Sequence, residues 1–318
     1  MTASRPLTVE LRAALRAEFP HHTAADLDAA TVLGEGWSVT VLRVGDLAVR
    51  VARPSAPAPL AHVPPAPPPA FAREAALLAA LDAAGVPFVP RGARVLRDTG
   101  GGALATAYKA VDGVPARGVP LRGEARERLA RDLGAFLGAL HAFPVAQARA
   151  LGVPERDLWA DAYVPLLAAC RPHLGPRSRA WLDALVTRFL ADGGTHGAPR
   201  ALVHGDIAGA HLLLDPGGTL AGVIDFGDAM VADPALDFAG VLNDWPPAFL
   251  ERVLTYYPLP VDADARRRAA FYIAVVPLFS VRYGVEAGDT RELAAGRRHL
   301  AARARRWAAR MVPRAAPP

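Results

Sequence analysis

Two stretches of this chain concentrate groups that can do chemistry: LVHGDIAGAHLLLD, Leu202 to Asp215, and AGVIDFGDAMVADPALDFAGV, Ala221 to Val241. They set Asp206, His211 and Asp225 around two short apolar runs, LLL after His211 and AGVI before Asp225. Short apolar runs bounded by Gly, Pro and Asp read as buried strands, and DPGGT between them reads as a tight turn. Such a hairpin brings the residue before its first strand next to the residue after its second. His211 and Asp225 then stand side by side, with Asp206 on the incoming loop. The chemistry this suits is phosphoryl transfer. That reaction uses a loop Asp to accept the proton of the attacking hydroxyl, a metal ligand five residues later, and an Asp beyond a hairpin to hold Mg²⁺.

The string HGDxxxxHxxxD…GVIDFGDxxxxDPxxDxA resembles the aminoglycoside phosphotransferase family. His211 stands where most of that family has Asn, which makes the pattern most similar to the macrolide phosphotransferase branch. The resemblance covers about Leu33 to Tyr283. It implies an α+β, protein-kinase-like, two-lobed fold: an N-lobe over residues 1–108, with a small antiparallel sheet and a helix, and a larger, mostly helical C-lobe over 109–318. It further implies an enzyme that moves the γ-phosphate of ATP or GTP to a hydroxyl of a small molecule, with an aminoglycoside or a macrolide antibiotic among the candidate acceptors. In that scheme Asp206 is catalytic, and His211 and Asp225 hold Mg²⁺. The macrolide-type His tilts the donor slightly toward GTP.

Each residue also has an ordinary reading. Asp206 alone is a turn residue as often as not. His211 alone is a satisfied polar group, and Mg²⁺ prefers oxygen ligands while imidazole suits softer metals. His204 reads as a brace for the loop backbone. Asp237, on the first turn of a helix, reads as a support for that loop rather than a chemical group. Asp228 and Asp233 read as turn residues.

The N-terminal third must supply a phosphate-gripping surface. LGEGWSVTVLRVGDLAVRVAR, Leu33 to Arg53, reads as strand, glycine loop, strand, turn and strand. Gly34 and Gly36 let a backbone approach a phosphate closely, although a lone Gly-x-Gly is more often a plain turn. No Walker sequence GxxxxGK[ST] occurs, which excludes a P-loop enzyme. The chain has a single lysine, Lys109, so no lysine can sit on the third strand. Arg50 is the replacement candidate, with Glu74 on the following helix as its partner. Arginine is always charged and its fork fits phosphate oxygens. RGARVLRD and ALATAYKAVDG read as two further strands. By the resemblance, the main chain of Tyr108, Lys109 and Val111 forms a hinge that meets the nucleotide base. Residues 54–70 are rich in Pro and Ala and read as a semi-rigid polyproline-type loop.

The remaining elements read as helices. Leu129, Leu133, Phe136, Leu137 and Leu140 form a core stripe, with His141 read as a helix-end charge. Further helical spacing covers Leu158–Leu174, Ser178–Leu190, Pro247–Tyr256, Ala263–Tyr283 and Thr290–Met311. The last is rich in arginine and reads as a solvated amphipathic face rather than a nucleic-acid or membrane patch. A polycationic acceptor would need acids such as Asp244, Glu251, Glu286 and Asp289. An apolar one would need aromatics such as Trp245, Phe249, Tyr256, Phe279 and Tyr283. The chain has 318 residues, 52% hydrophobic and 21% charged, with net charge +5, which suits two lobes of one catalytic unit. One cysteine, Cys170, excludes an internal disulfide and fits a reducing compartment. No signal-peptide-like apolar run opens the chain, and no run reaches about 18 apolar residues. A cytoplasmic enzyme whose partners are a nucleotide and a small molecule, with neither nucleic acid nor membrane, is the expectation. Two other classes remain open: a nucleotide-binding pseudokinase or scaffold, motivated by Arg50 and His211, and a metal-dependent hydrolase built on His204, Asp206, His211 and Asp225.

Overall fold

The computed structural model describes residues 7–36, 38–53 and 70–311, with side chains through Arg305. The Pro-rich loop expected over 54–70 lies outside the described residues except for Ala70, as do Trp37 of the glycine loop and the terminal AAPP.

The chain begins with two helices that periodicity alone did not single out, α1 (Val9–Glu18) and α2 (Ala24–Asp28). Both have polar starts. The Thr8 hydroxyl accepts from Leu11 N–H, and Thr23 and Asp26 form a reciprocal capping box. Then come β1 (Thr31–Glu35), β2 (Val39–Val44), β3 (Leu47–Ala52), α3 (Phe71–Ala83), β4 (Arg94–Arg97) and β5 (Ala103–Lys109). The five strands form one antiparallel sheet in the order β1-β2-β3-β5-β4. β3 is central, and its two faces differ in chemistry because side chains alternate along a strand. Leu47 and Val49 join Leu11, Leu15, Leu27, Leu42 and Leu96 in a core that α1 and α2 cover. Arg50 points to the other face, where α3 lies.

Next come β6 (Val114–Pro115), α4 (Gly123–His141) and α5 (Val145–Ala150). A π-turn over Leu158–Tyr163, α6 (Val164–Cys170), a 3₁₀ turn over Arg171–His173 and α7 (Pro176–Ala191) come next. After them are β7 (Ala201–Val203), β8 (Leu212–Leu214), β9 (Leu220–Val223), a 3₁₀ turn over Phe226–Asp228, β10 (Met230–Ala232), α8 (Ala235–Asp244) and α9 (Pro247–Thr255). The chain ends in α10 (Ala265–Val275), α11 (Pro277–Glu286) and α12 (Thr290–Met311). β8 and β9 pair antiparallel around the DPGGT turn, with β6 on the outer edge of β8, and β7 pairs with β10. This is the two-lobed α+β, kinase-like arrangement.

Two expected helices are broken, both by proline. Leu158–Leu174 divides into the π-turn, α6 and the 3₁₀ turn, with Pro165 and Pro172 at the junctions, and Ala263–Tyr283 divides at Pro277. Proline offers no N–H to the preceding turn. By length and hydropathy alone, the joined stretch Ala265–Glu286 is apolar enough to cross a bilayer. Its Phe271, Tyr272, Val275, Leu278 and Val281 are instead buried core residues.

By contact density the described chain forms two compact units. One holds residues 7–53, 70–155 and Arg200–Pro260, the other 156–199 and 261–311. The lobe boundary expected at 108/109 therefore falls inside the first unit. The second unit is helical. Phe189 stacks on Phe271 at 3.8 Å, and buried Arg268 grips Asp262 with two hydrogen bonds of 2.7 and 2.8 Å. Its Cys170 is buried, and that burial pushes the thiol up to about 12, well out of the reactive range.

In the first unit α4 carries the core. Leu129, Leu133, Phe136, Leu137 and Leu140 are all fully buried. Phe136 meets Phe226, the residue after Asp225, edge to face at 6.3 Å. Phe136→Ala is expected to destabilise the protein by about 3–5 kcal/mol. It should read as a lowered urea midpoint, and a midpoint within error of the parent would show that this contact does not carry the core.

Candidate active site

The loop of residues 204–211 leaves β7 and enters β8. Its first residues are held from below by one carboxylate. Asp237, on the first turn of α8 and fully buried, accepts from His204 N–H at 2.8 Å and from Gly205 N–H at 2.9 Å. The same carboxylate meets His141 Nε2 at 3.0 Å, and His141 Nδ1 meets the Tyr257 hydroxyl at 2.9 Å. Burial opposes the charge on Asp237, but His141 and the loop amides outweigh it and hold its pKa below the ordinary range. His141, expected as a helix-end charge, does end α4, and its ring is buried as a support for Asp237. The signal was present, since position 141 lies four residues after Leu137 and so continues the core stripe.

His204 completes the brace. Its Nε2–H donates to Ile224 O at 3.0 Å and its Nδ1 accepts from Asp206 N–H at 3.2 Å, which fixes one neutral tautomer. Burial lowers its pKa, which keeps it neutral. It thus ties the strand before Asp225 to the backbone of Asp206. Gly205 has φ +84°, and a Cβ there would stand 2.5 Å from Asp228 O, so the sharp bend needs glycine.

Asp206, His211 and Asp225 meet at the rim this framework creates. His211 Nδ1 lies 2.8 Å from the Asp206 carbonyl oxygen and so must carry the proton. Its Nε2 then presents a lone pair, 3.8 Å from Asp225 Oδ2. Asp206 Oδ2 lies 3.4 Å from His211 Nδ1, and the Asp206 side chain is 49% exposed. Asp225 adopts the left-handed conformation, φ +70° and ψ +65°, which is rare for a non-glycine residue and marks a backbone held by its surroundings. Asp228 joins the same group. Lost hydration and the charges of Asp206 and Asp225 push its pKa up. Lost hydration likewise raises Asp206, with His211 opposing and Asp225 adding. This is unbalanced negative charge, together with a ring nitrogen and a carboxylate oxygen that face each other. The donor set fits a divalent cation, and its imidazole extends the fit toward softer ions than Mg²⁺.

From the sheet, Arg50 reaches into the group. It is 4% exposed, its Nε lies 3.1 and 3.2 Å from the two oxygens of Glu74, and its Nη2 donates to Asp225 Oδ1 at 2.6 Å. Burial works against its charge, yet Glu74 and Asp225 raise its pKa, so it stays a cation. Asp225 makes the shorter contact. Arg50 outweighs the effect of burial there and lowers its pKa. Glu74 shares the same cation at longer range, and burial leaves its pKa raised. Arg50 and Glu74 are thus brought together with Asp225.

The other sequence-marked residues have the following surroundings. Gly36 N–H bonds Val39 O, and nothing crowds Gly34. In the hinge stretch Tyr108 is buried, Lys109 is exposed, and Lys109 N–H and Ala110 N–H already bond Arg91 O and Asp46 O. On the acceptor side, Asp244 binds Gly209 N–H at 2.7 Å and Arg117 at 3.1 Å, and the charge of Arg117 also acts on Asp206. Glu286 is paired with Arg282, and Asp289 caps α12 through Arg291 N–H. Of the aromatics, Phe249 is fully buried core beneath Trp245, and Tyr256 bonds Glu127.

Comparison with known proteins gives the family and the fold. The sequence model of the phosphotransferase enzyme family matches residues 29–272. The fold is similar to that of aminoglycoside 2'-phosphotransferase-IIIa in its GDP complex, with TM-score 0.77 and 23% identity over 94% of this chain and 99% of that one. It is also similar to the macrolide 2'-phosphotransferase MphH from Brachybacterium faecium, with TM-score 0.61 and 22% identity over 85% and 91% of the two chains. Among curated sequences, the uncharacterized protein YcbJ of Bacillus subtilis (strain 168) is 28% identical over 167 residues, 48% of this chain. The chain spans about half the length of that relative, 53%.

The support network predicts a separable effect. The depressed Asp237 pKa contributes stability that is fully present above the unfolded aspartate value of about 3.9 and is lost as pH falls through the folded value. Asp237→Ala leaves two loop amides and His141 without their acceptor. It should cost about 3–5 kcal/mol and flatten the acid limb of stability measured by urea titration. An unchanged acid limb would mean the charge on Asp237 is not what holds the loop.

Proposed function

Because the chain belongs to the phosphotransferase enzyme family, we propose that it moves the γ-phosphate of ATP or GTP to a hydroxyl group of a small molecule. The observation that carries this reading is the convergence of Asp206 and His211, on one braced loop, with Asp225 beyond the hairpin, His211 Nε2 and Asp225 Oδ2 facing each other at 3.8 Å.

The half-exposed Asp206 carboxylate accepts the hydroxyl proton as the acceptor oxygen attacks the γ-phosphorus. The bond to the bridging oxygen breaks, and the nucleoside diphosphate leaves. His211 and Asp225 are the residues that would hold Mg²⁺, with Asp228 beside them. When bound, that ion supplies charge neutralisation at the phosphates. Arg50, aimed by Glu74, presents a guanidinium to the phosphates from the sheet side. Gly34 and Gly36 let the loop above them approach closely. The base meets the main chain at Tyr108 to Val111. Because Lys109 and Ala110 commit their N–H groups within the chain, Val111 supplies the donor to the base edge. Little covalent work falls to the protein, so positioning and charge supply most of the rate.

The acceptors named for the structural relatives, among them kanamycin, gentamicin and macrolides, are the first candidates. Arg117 acts on Asp206 and occupies Asp244. This arrangement favours an acceptor with little positive charge, a macrolide-like hydroxyl over a polycationic aminoglycoside.

The test is nucleotide consumption with ATP or GTP across a panel of macrolides, aminoglycosides and simple metabolite alcohols. Asp206→Asn should lower acceptor-dependent turnover roughly 10²- to 10⁴-fold. A general base acts only when ionised, and the raised Asp206 pKa keeps it protonated to higher pH than a free aspartate. The acid limb of kcat/KM should therefore lie above about pH 3.9 and disappear in Asp206→Asn. Full turnover in that variant would remove Asp206 from the reaction. Nucleotide binding with no acceptor-dependent turnover would favour a scaffold instead.

His211 makes a second prediction. An imidazole ligand favours Mn²⁺ relative to Mg²⁺ more than an amide oxygen does. His211→Asn should shift the ratio of apparent Mn²⁺ to Mg²⁺ affinities toward Mg²⁺ by about tenfold, in the range seen when a metal's surroundings change. An unchanged ratio would show that His211 does not touch the ion.

A further inference from the structure

Away from the catalytic residues, a second group of donor atoms is built where the N-terminal helices meet the sheet. The turn between α1 and α2 is PHHT, and His22 N–H closes it onto Phe19 O at 3.1 Å. It leaves His21 exposed and buries His22, whose side chain is only 4% exposed. The β2–β3 hairpin turn, Gly45-Asp46, lies against that ring. A Cβ on Gly45 would stand 2.9 Å from His22 Cδ2. The close approach puts Asp46 Oδ1 2.8 Å from His22 Nε2 and the His21 ring centroid 4.4 Å from that of His22. One donor atom from each of His21, His22 and Asp46 lies within 4.8 Å of the others.

Hydrogen bonding alone does not satisfy this arrangement. His22 Nδ1 is buried and has no hydrogen-bond partner among the described residues. If Nε2 carries the proton it donates to Asp46, and the Nδ1 lone pair is left over. If Nδ1 carries it, a buried donor is left over and the Nε2 lone pair faces a carboxylate oxygen. An orphaned buried polar atom costs about 1–3 kcal/mol. A cation on His22 Nε2, the nitrogen that faces Asp46, replaces that hydrogen bond and fixes the proton on Nδ1, and His21 and Asp46 stand at the distance to complete its protein ligands.

We propose that His21, His22 and Asp46 bind one borderline divalent transition-metal ion of the Zn²⁺ class. Two imidazoles and a single carboxylate select such an ion over Mg²⁺ or Ca²⁺, which require mostly oxygen ligands. The exposed His21 side leaves room for water in the remaining position. The ion fastens the α1–α2 turn to the hairpin that leads into β3, the strand of Arg50.

Untagged full-length protein, stripped with chelator and held in excess Mg²⁺, is titrated with Zn²⁺ by calorimetry, and its thermal midpoint is followed. The wild-type chain should bind Zn²⁺ with a rise in midpoint. His21→Ala and Asp46→Asn, both surface substitutions, should each weaken one equivalent about 100-fold or more. His211→Ala should leave that equivalent in place, which separates it from the catalytic residues. Absence of Zn²⁺ binding to the wild-type chain, or retention of the equivalent in either His21→Ala or Asp46→Asn, overturns the proposal.

Discussion

The active loop depends on one buried carboxylate. Asp237 has no solvent exposure, and its two oxygens are shared among the amides of His204 and Gly205 and the ring of His141. A buried charge is tolerable only when donors surround it, and here the donors are the backbone of the catalytic loop. Loop shape and charge stability are therefore the same fact. If the loop adopts another path, Asp237 loses its donors. If Asp237 loses its charge, the bend at Gly205 loses its anchor. The position of Asp206 follows from this, because its own N–H bonds the ring of His204.

A second ionic group works differently. Arg50 sits between Glu74 and Asp225, so one buried cation faces two carboxylates. Burial raises the pKa of Glu74 in spite of Arg50, whereas at Asp225 Arg50 outweighs burial and lowers it. This division suits the chemistry. Glu74 aims the guanidinium, and Asp225 stays ionised and keeps Oδ2 turned toward His211. The left-handed backbone at Asp225 is part of the same constraint, since it turns the carboxylate out of the β9 direction while Phe226 is anchored edge-on against Phe136 and His204. Strain at the carboxylate is compensated by apolar packing one residue later.

Much of this was legible in residue type and spacing. The β8–β9 hairpin could be read from two apolar runs around DPGGT, and its register brings His211 and Asp225 together because a hairpin has no other way to place its ends. The five strands of the sheet and α3 were readable from alternation and turns. What escaped was whatever depended on long-range pairing. His141 looked like a helix-end charge because nothing in α4 shows that Asp237 and Tyr257, 96 and 116 residues further on, arrive beside it. β6, β7 and β10 are two or three residues long, too short for periodicity to register. α1 and α2 carry adequate caps, but their apolar faces gain meaning only against the sheet they cover. Asp228 read as a turn residue because its turn role is real. Its proximity to two other carboxylates is set by the β7–β10 pairing, not by its neighbours in sequence.

The near-absence of lysine has a consequence for the acids of this chain. With Lys109 as the single lysine, almost every cation in the chain is a planar fork that stays charged and binds carboxylates in pairs. Two acids show the effect: Asp244 is held by Arg117 and Glu286 by Arg282. A lysine in such a place would be a flexible point charge that solvent or ligand can displace. An arginine fork makes the pairing directional and harder to exchange. Asp244 and Glu286 are therefore held by arginines of this chain, whereas Asp206, Asp225 and Asp228 crowd like charge together at the loop.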